Sequence, residues 1–512
     1  MEAAALGRGG LSTVAQGARD AVRARSRAFW AVAGLSALAA GLRFGTLGLQ
    51  SYHHDEVVTA SRILGGGFWH AMSAVGASES APPLYYVLAW PWTQLTGTGA
   101  VGLRSISALA GVLTVPIAYL IGAELRGRRA GIAAAALVAV NPMLLWYSQE
   151  ARAYALFSLL TAISFLYFVR ALRRGRGRDL GAWGIASALA LATHYFAIFP
   201  LAAEALWLLH RRGRFALRGI WVPVLTGIGL APLAIQQMSI GHAEWIGNHP
   251  LVRRLWEAGM TFMVGETGEI IARPVNPLPA LVPVMLVGLA LALLLARGER
   301  GERRAAGIAL GIAGATVALP VLLALASPSK DYVLARNLVP ALVPLLVAVA
   351  IAVTARRSGS AGVVIGLVLA AYSLGFCAWV SFSPSFQRPD WNAVAARLGE
   401  PAAPRAIVTW ILGEAPLRYY LPPGSFEVSS TDGLGWLAHE IDLVSNGPAP
   451  PAPPGMLGPG FIRAGYEQVG RLYVRRYALP GPGLAPLRMR ALHGAPLGFP
   501  TNGVLLDGIG PR

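Results

Sequence analysis

Cysteine and lysine, one of each, are what this 512-residue chain has least of, and its charged residues are sparse. Its single thiol, Cys377, lies inside an apolar run, which excludes a disulfide framework within the chain and any zinc cluster built on several thiolates. Charged residues make up 13%, where a soluble domain carries roughly 25%, and 55% of the chain is hydrophobic, so a water-exposed globule throughout is excluded. The chain reads as a membrane protein. Apolar runs long enough to cross a bilayer, about 17 to 25 residues, recur as far as residue 383 and are lacking beyond it. A cytoplasmic N-terminal segment (1–27), a membrane body (28–383) and a water-soluble tail (384–512) follow from that change of texture.

The net charge of +18 invites a nucleic-acid partner, yet its distribution argues for none. Lysine is almost missing, with Lys330 alone, and arginine gathers in short loops: RARSR (23–27), RGRR (126–129), RALRRGRGR (170–178), RRGRFALR (211–218), RGERGERR (297–304) and ARR (355–357). Loops of this kind stay on the cytoplasmic side. An even number of crossings must then separate each cluster from the next. The first run, 28–48, follows the basic RARSR and reads as an uncleaved anchor rather than a signal peptide. Runs 100–124, 129–147, 152–170, a pair within 180–209, 219–238, 277–297, 305–326, 333–354 and 361–383 complete eleven spans. This puts the N-terminus inside and the tail outside, in the plasma (inner) membrane. The short, proline-broken 82–97 is expected along the outer interface, and Thr193-His194-Tyr195 at the turn inside the 180–209 pair.

That parity brings the unusual polar residues to one side. SYHHDEVVTA (51–60) follows the first span, SQEARAY (148–154) joins the third and fourth, His194 sits at an outer turn, and SPSKDYVLAR (327–336) precedes the tenth. Ionisable groups at bilayer depth cost about 2.5 to 3.5 kcal/mol each on insertion scales, so their gathering at one rim points to a site in water or in a protein cavity. Each has a plainer reading. Asp55 and Glu56 suit the first turn of a surface helix; Glu150 and Arg152 suit a local ion pair, with Tyr154 one helical turn beyond Glu150; His194 suits a satisfied core histidine; Lys330 and Arg336 suit lipid headgroups. Together, two acidic motifs and two cations beside apolar spans favour a site.

The order HHDE, SAPPLYYVLAWPWTQLTG, LRSISALAGVLTVPIAYLIG, NPMLLWYSQEARAYALFSLL, THYFAIFPL and ARNLVPALVPLL resembles the GT-C membrane glycosyltransferases, closest to the protein O-mannosyltransferase and lipid A aminoarabinose transferase branch (glycosyltransferase family 39-like). The resemblance covers residues 28 to 395 and is densest from 50 to 200. It implies an all-α polytopic membrane protein of GT-C type, with about eleven spans and a small extracytoplasmic α/β domain. It also implies an inverting transfer of a sugar from a polyprenyl-phosphate donor to a lipid, glycan or protein hydroxyl. On that pattern Asp55 is the base and Glu56 the second candidate, with Glu150 a third acidic group. Arg336 and Lys330 meet the leaving phosphate, Arg152 assists the phosphate or orients Glu150, and Tyr154, His194 and Tyr195 line the site. One departure is Asn337, where the family often has tyrosine. A divalent cation held by Asp55, Glu56 and Glu150, with or without His53 or His54, stays open because no diagnostic ligand spacing is present; no cofactor is assigned.

The tail opens with the helical QRPDWNAVAARLGE and continues through strand-like RAIVTW, a helix over LGEAPLRYYL, and strands at FEVSS, EIDLVS and RLYVRRYAL, with a proline loop over 448–460. A small α/β domain fits, with acceptor recognition or simple packing as its role. A transporter or a non-catalytic membrane scaffold remains the alternative class. A transporter would place its charges near the midplane on repeated halves, and no internal repeat is visible.

Overall fold

The computed structural model describes residues 26–240, 244–266, 278–327, 331–428, 435–448, 450–453, 455–495, 497 and 502–508. Among the described residues, helix lies over the greater part of each of the eleven apolar runs. Seven helical stretches are long and apolar enough to cross a bilayer, and an eighth is counted if the bent pair Arg128–Val140 and Pro142–Ser148 is one span. One of the seven, Tyr195–Ser239, holds two of the runs in 45 residues; Gly213, at φ +55°, breaks it where RRGRFALR was expected to face water. The two remaining helices are 26–44, at the edge of the described residues, and Gly177–Thr193, whose 17 residues are only just long enough. Leu84–Thr96, over the proline-broken stretch, has 13 residues, about 20 Å of helix against a hydrocarbon core of about 30 Å. It is too short to cross.

The chain divides into two compact units, each described by itself. The first comprises residues 1–45, 75–88 and 105–377, and the second 46–74, 89–104 and 378–512. In the first, the 57° bend at Asn141-Pro142 has a clear cause. Pro142 carries no N–H, so helix bonding fails there, and the buried Arg43 donates instead to the Ala139 carbonyl at 2.9 Å and the Val138 carbonyl at 3.4 Å. Asn141 accepts from the Leu144 N–H at 3.0 Å, capping the helix that follows, and donates to the Phe262 carbonyl at 3.0 Å.

The second unit is built on a six-stranded sheet, in the order β2 (Phe426–Val428), β8 (Asn502–Asp507), β1 (Arg405–Trp410), β4 (Glu440–Asn446), β6 (Leu472–Ala478), β5 (Ile462–Val469). β1 and β4 run parallel, and every other pair is antiparallel. Alternating side chains form two cores. Ile407, Val444, Val474 and Leu505 pack with Trp391 and Leu417 of the helices Trp391–Leu398 and Ile411–Tyr420, while Ala406, Val408, Ile441 and Leu443 pack with Met489 and Leu492. A two-stranded ribbon joins β3 (Leu437–Ala438) to β7 (Ala485–Pro486).

Candidate active site

The second unit contains the HHDE turn. His54–Val57 forms one α-helical turn that widens into a π-helical one, Val58–Ile63. Adjacent positions in a helix point about 100° apart, and Asp55 and Glu56 accordingly have different surroundings. Glu56 is fully buried and receives Arg104 through two bonds, Nε to Oε1 and Nη2 to Oε2, both 2.7 Å. The remaining N–H groups of Arg104 reach the carbonyls of Leu47 (3.0 Å), Gln50 (2.7 Å) and Ser51 (3.0 Å), and its guanidinium lies 5.1 Å from the Tyr52 ring centre. The Glu56 carboxylate also accepts from the His53 N–H at 3.3 Å, and Arg388 stands 4.0 Å away. Burial by itself raises the pKa of Glu56, but Arg104, Arg388 and the hydrogen bonds outweigh it and hold the carboxyl well below its ordinary range. Asp55 is partly exposed, and its backbone carbonyl accepts from the Thr59 hydroxyl at 3.0 Å.

The first unit brings Glu150, Arg152, Tyr154, His194 and Arg336 into one neighbourhood. Glu150 is buried in the turn between Pro142–Ser148 and Tyr154–Arg174, so the helical spacing expected between Glu150 and Tyr154 does not apply; the helix starts only at Tyr154. Gln149 pins that turn by donating to the Leu42 and Arg43 carbonyls at 3.2 and 3.0 Å. Arg152 forms a two-pronged pair with Glu79, 2.8 Å on each prong, and also donates to the Tyr86 hydroxyl at 3.1 Å. The Tyr154 ring lies 4.8 Å from Tyr147 and 5.8 Å from His194, and His194 stacks on Phe157 at 4.6 Å. His194 Nδ1 accepts from the Phe196 N–H at 3.2 Å. Burial, with the charges of Arg152 and Arg336, lowers its pKa to about 3, so the imidazole is neutral and Nε2 carries the proton. Tyr195 turns to Gln237, donating to its Oε1 at 2.9 Å. Arg336 is half-buried in the 3₁₀ segment Ala335–Ala341, behind a stretch that Arg254 fixes through Asp331 and the Val333 carbonyl, at 2.8 and 2.7 Å. Lys330 lies outside the described residues.

Among the described residues no three His, Cys, Asp or Glu side chains converge in a way that could hold a metal ion. Glu56, with its oxygens engaged by Arg104 and His53, does not fit a ligand's role. Sequence reasoning missed Glu79, Arg104 and Arg388. Arg104 carried a usable signal, since a lone arginine inside a membrane-spanning run demands a buried partner. Glu79, in GASESAPPL, stood out only as an acid in an otherwise uncharged stretch.

Residues 80–235 match the model of the family described as dolichyl-phosphate-mannose-protein mannosyltransferase. No curated protein sequence matches the chain. Among solved structures, the oligosaccharyltransferase of Archaeoglobus fulgidus is 13% identical at a TM-score of 0.42, covering 77% of this chain and 60% of its own. ArnT from Cupriavidus metallidurans is 15% identical at 0.39, covering 90% and 100%, and the arabinosyltransferase EmbB from Mycobacterium smegmatis is 13% identical at 0.39, covering 85% and 46%. The chain thus spans about 60% of the length of the archaeal oligosaccharyltransferase.

Proposed function

We propose that the chain is a membrane glycosyltransferase of GT-C type, a reading supported by the match of residues 80–235 to the mannosyltransferase family, and that it moves a sugar from a polyprenyl-phosphate carrier to an acceptor hydroxyl at the extracytoplasmic face, with inversion at the anomeric carbon and Asp55 as the base. The family description names a dolichyl-phosphate sugar as donor, which supports a carrier of that type. The observation that carries the choice of base is the contrast inside HHDE. Glu56 is sealed against Arg104, and Asp55, one residue away, is partly exposed on the same rigid turn. Glu56 then acts as a positioning residue, holding the helical turn in place through Arg104.

In the proposed step Asp55 accepts the proton of the acceptor hydroxyl, and the acceptor oxygen attacks the anomeric carbon. The bond from that carbon to the carrier phosphate breaks on the opposite side, and the phosphate leaves with the electron pair. Arg336, with Lys330 in support, meets the charge that develops on the phosphate. Arg152, pre-set by Glu79 and Tyr86, presents a second guanidinium; Glu150 shapes the turn that carries it. Neutral His194, with Tyr154 and Tyr195, lines the sugar end. Sidedness follows from the arginine clusters, with the N-terminus in the cytoplasm and residues 384–512 outside.

Purified protein incubated with labelled polyprenyl-phosphate sugars tests the reading. Asp55→Asn keeps the shape and removes the base, so transfer should fall about 10²- to 10⁴-fold while donor binding persists. A folded, donor-binding Asp55→Asn protein that turns over at the wild-type rate overturns Asp55. Counterflow of intact substrate in vesicles without bond cleavage would instead favour a transporter.

A further inference from the structure

We propose that a cleft between the helix that follows HHDE and the tail helix Ile411–Tyr420 binds a phosphate or carboxylate group of the acceptor; the inference rests on the glycosyltransfer reading above. The cleft lies wholly within the second unit. Its cavity of about 380 Å³ is lined by Val57, Val58, Ser61 and Arg62 on one side and Ala415, Arg418 and Tyr419 on the other. The walls are apolar at Val57, Val58 and Ala415, and the only charged side chains among the lining residues are two arginines.

Several other arginines of this unit are engaged in ion pairs. Arg104 meets Glu56, Arg405 meets Asp507, Arg476 meets Asp442 and Arg397 meets Glu467. The guanidiniums of Arg62 and Arg418 are exposed, and among the described residues neither makes a hydrogen bond or an ion pair. The carboxyl groups behind them are Glu414, buried one position before the cleft wall with its pKa raised to about 7, and Glu427 on β2, which bears on Glu414; Arg418 and Arg62 act against that rise without forming an ion pair with Glu414. Two guanidiniums that converge on a cavity with no lining carboxylate offer their donors to an oxyanion.

Two further features mark the cleft as built. Val58, Ser61 and Arg62 all belong to the π-helical turn Val58–Ile63, and π turns are rare and concentrate at functional sites. The opposite wall is held in register, since the Tyr419 ring packs on Tyr52 at 5.7 Å and the Tyr420 hydroxyl accepts from the Tyr52 N–H at 2.8 Å. Asp55 lies seven residues before Arg62 in the same helical stretch, about 10 Å along its axis. That spacing suits an acceptor whose anionic group and reacting hydroxyl lie about a sugar ring or two apart. It also gives the tail a share in choosing what is glycosylated.

The test uses the full-length protein in lipid nanodiscs of neutral lipid, with glycerol 1-phosphate as the probe, glycerol as its uncharged control, and vesicles of phosphatidylglycerol as the headgroup control. Wild type should bind glycerol 1-phosphate and not glycerol. Arg62→Gln and Arg418→Gln should each weaken that binding about tenfold, Arg62→Lys less, and none should change binding of the donor lipid, which also reports folding. Equal binding of glycerol 1-phosphate by wild type and the double variant overturns the proposal. So does an arginine effect confined to phosphatidylglycerol vesicles, which would make the cleft a headgroup contact. Arginine-dependent phosphate binding in a protein that transfers no sugar from any polyprenyl-phosphate donor upholds the anion site and overturns the glycosyltransfer reading on which its acceptor role rests.

Discussion

Two buried arginine–carboxylate pairs, one in each unit, use the same chemistry for different ends. Glu56 and Arg104 are 0% and 1% exposed, and every donor of Arg104 is spent on the turn around HHDE. Glu79 and Arg152 are 3% and 15% exposed, in a setting of aromatic rings and the neutral His194. A sealed pair fixes a backbone, because breaking it strands a charge in a place without water. A pair open on one side holds a guanidinium in a set direction while leaving it reachable by a ligand. The Glu56 pair is therefore the frame of the HHDE turn within the second unit, and we read the Glu79 pair as equipment that presents the Arg152 guanidinium within the first.

The largest effect should come from breaking the frame. Arg104→Leu leaves Glu56 buried without its main partner and should cost about 3 to 5 kcal/mol, seen as lost folded yield and a lowered melting temperature in detergent. Glu56→Leu should cost a similar amount, and the double variant should recover much of the loss, since two apolar side chains leave no stranded charge. A double variant as unstable as the sum of the singles would mean the pair is no unit. The acidity of Glu56 adds a sign. Its folded pKa is lowered, so the stability it lends is present above the ordinary carboxyl value and is lost as pH falls through the folded one. Acid unfolding should accordingly begin at lower pH in wild type than in a variant with Arg388→Gln.

At the open pair the loss should fall on activity. Arg152→Lys keeps the charge but not the two-pronged geometry, and Glu79→Gln keeps the shape but not the charge. Each should reduce turnover about tenfold to a hundredfold, in line with one charge-assisted contact, with a smaller change in melting temperature than Arg104→Leu. If Glu79→Gln unfolds the protein as readily as Arg104→Leu while sparing the turnover of what remains folded, the distinction between frame and equipment fails.

The apolar runs made the membrane body legible, because crossing a bilayer demands length and continuity that few other structures share. The helix break at His194 and the strands over RAIVTW, EIDLVS and RLYVRRYAL were readable for similar reasons, each being a short apolar or alternating stretch bounded by polar residues. β5 was not readable, for it is an edge strand, exposed at most of its positions, and carries no alternation. Neither was β8, whose brief VLL run looks like many loop segments, although it lies between β2 and β1 in the sheet. Within the site, the acids of HHDE were visible and their division of labour was not. Which of two neighbouring carboxylates is sealed depends on Arg104, 48 residues away, and a single sequence does not pair distant residues.

A third carboxylate sharpens the comparison at the small end of the scale, since Glu414 faces another acid instead of an arginine. Burial, and then Glu427, raise its pKa to about 7, against which Arg418 and Arg62 act only partly. A carboxyl with a raised folded pKa lends stability that is fully present below its unfolded value, about 4.3, and lost as pH rises through about 7. Glu414 thus works in the opposite direction to Glu56. Asp442 is also raised to about 7, by burial and Glu440, so the wild-type slope of melting temperature with pH belongs to both groups, and the informative quantity is the difference between variants. Glu414→Gln should flatten the fall in melting temperature between pH 5 and pH 8. Glu427→Gln should flatten it less, because burial, the larger cause, remains. A slope unchanged by Glu414→Gln would mean that this carboxyl is ionised at neutral pH in the folded protein, and the cleft beside it would then carry one more negative charge than the two-arginine anion site allows for.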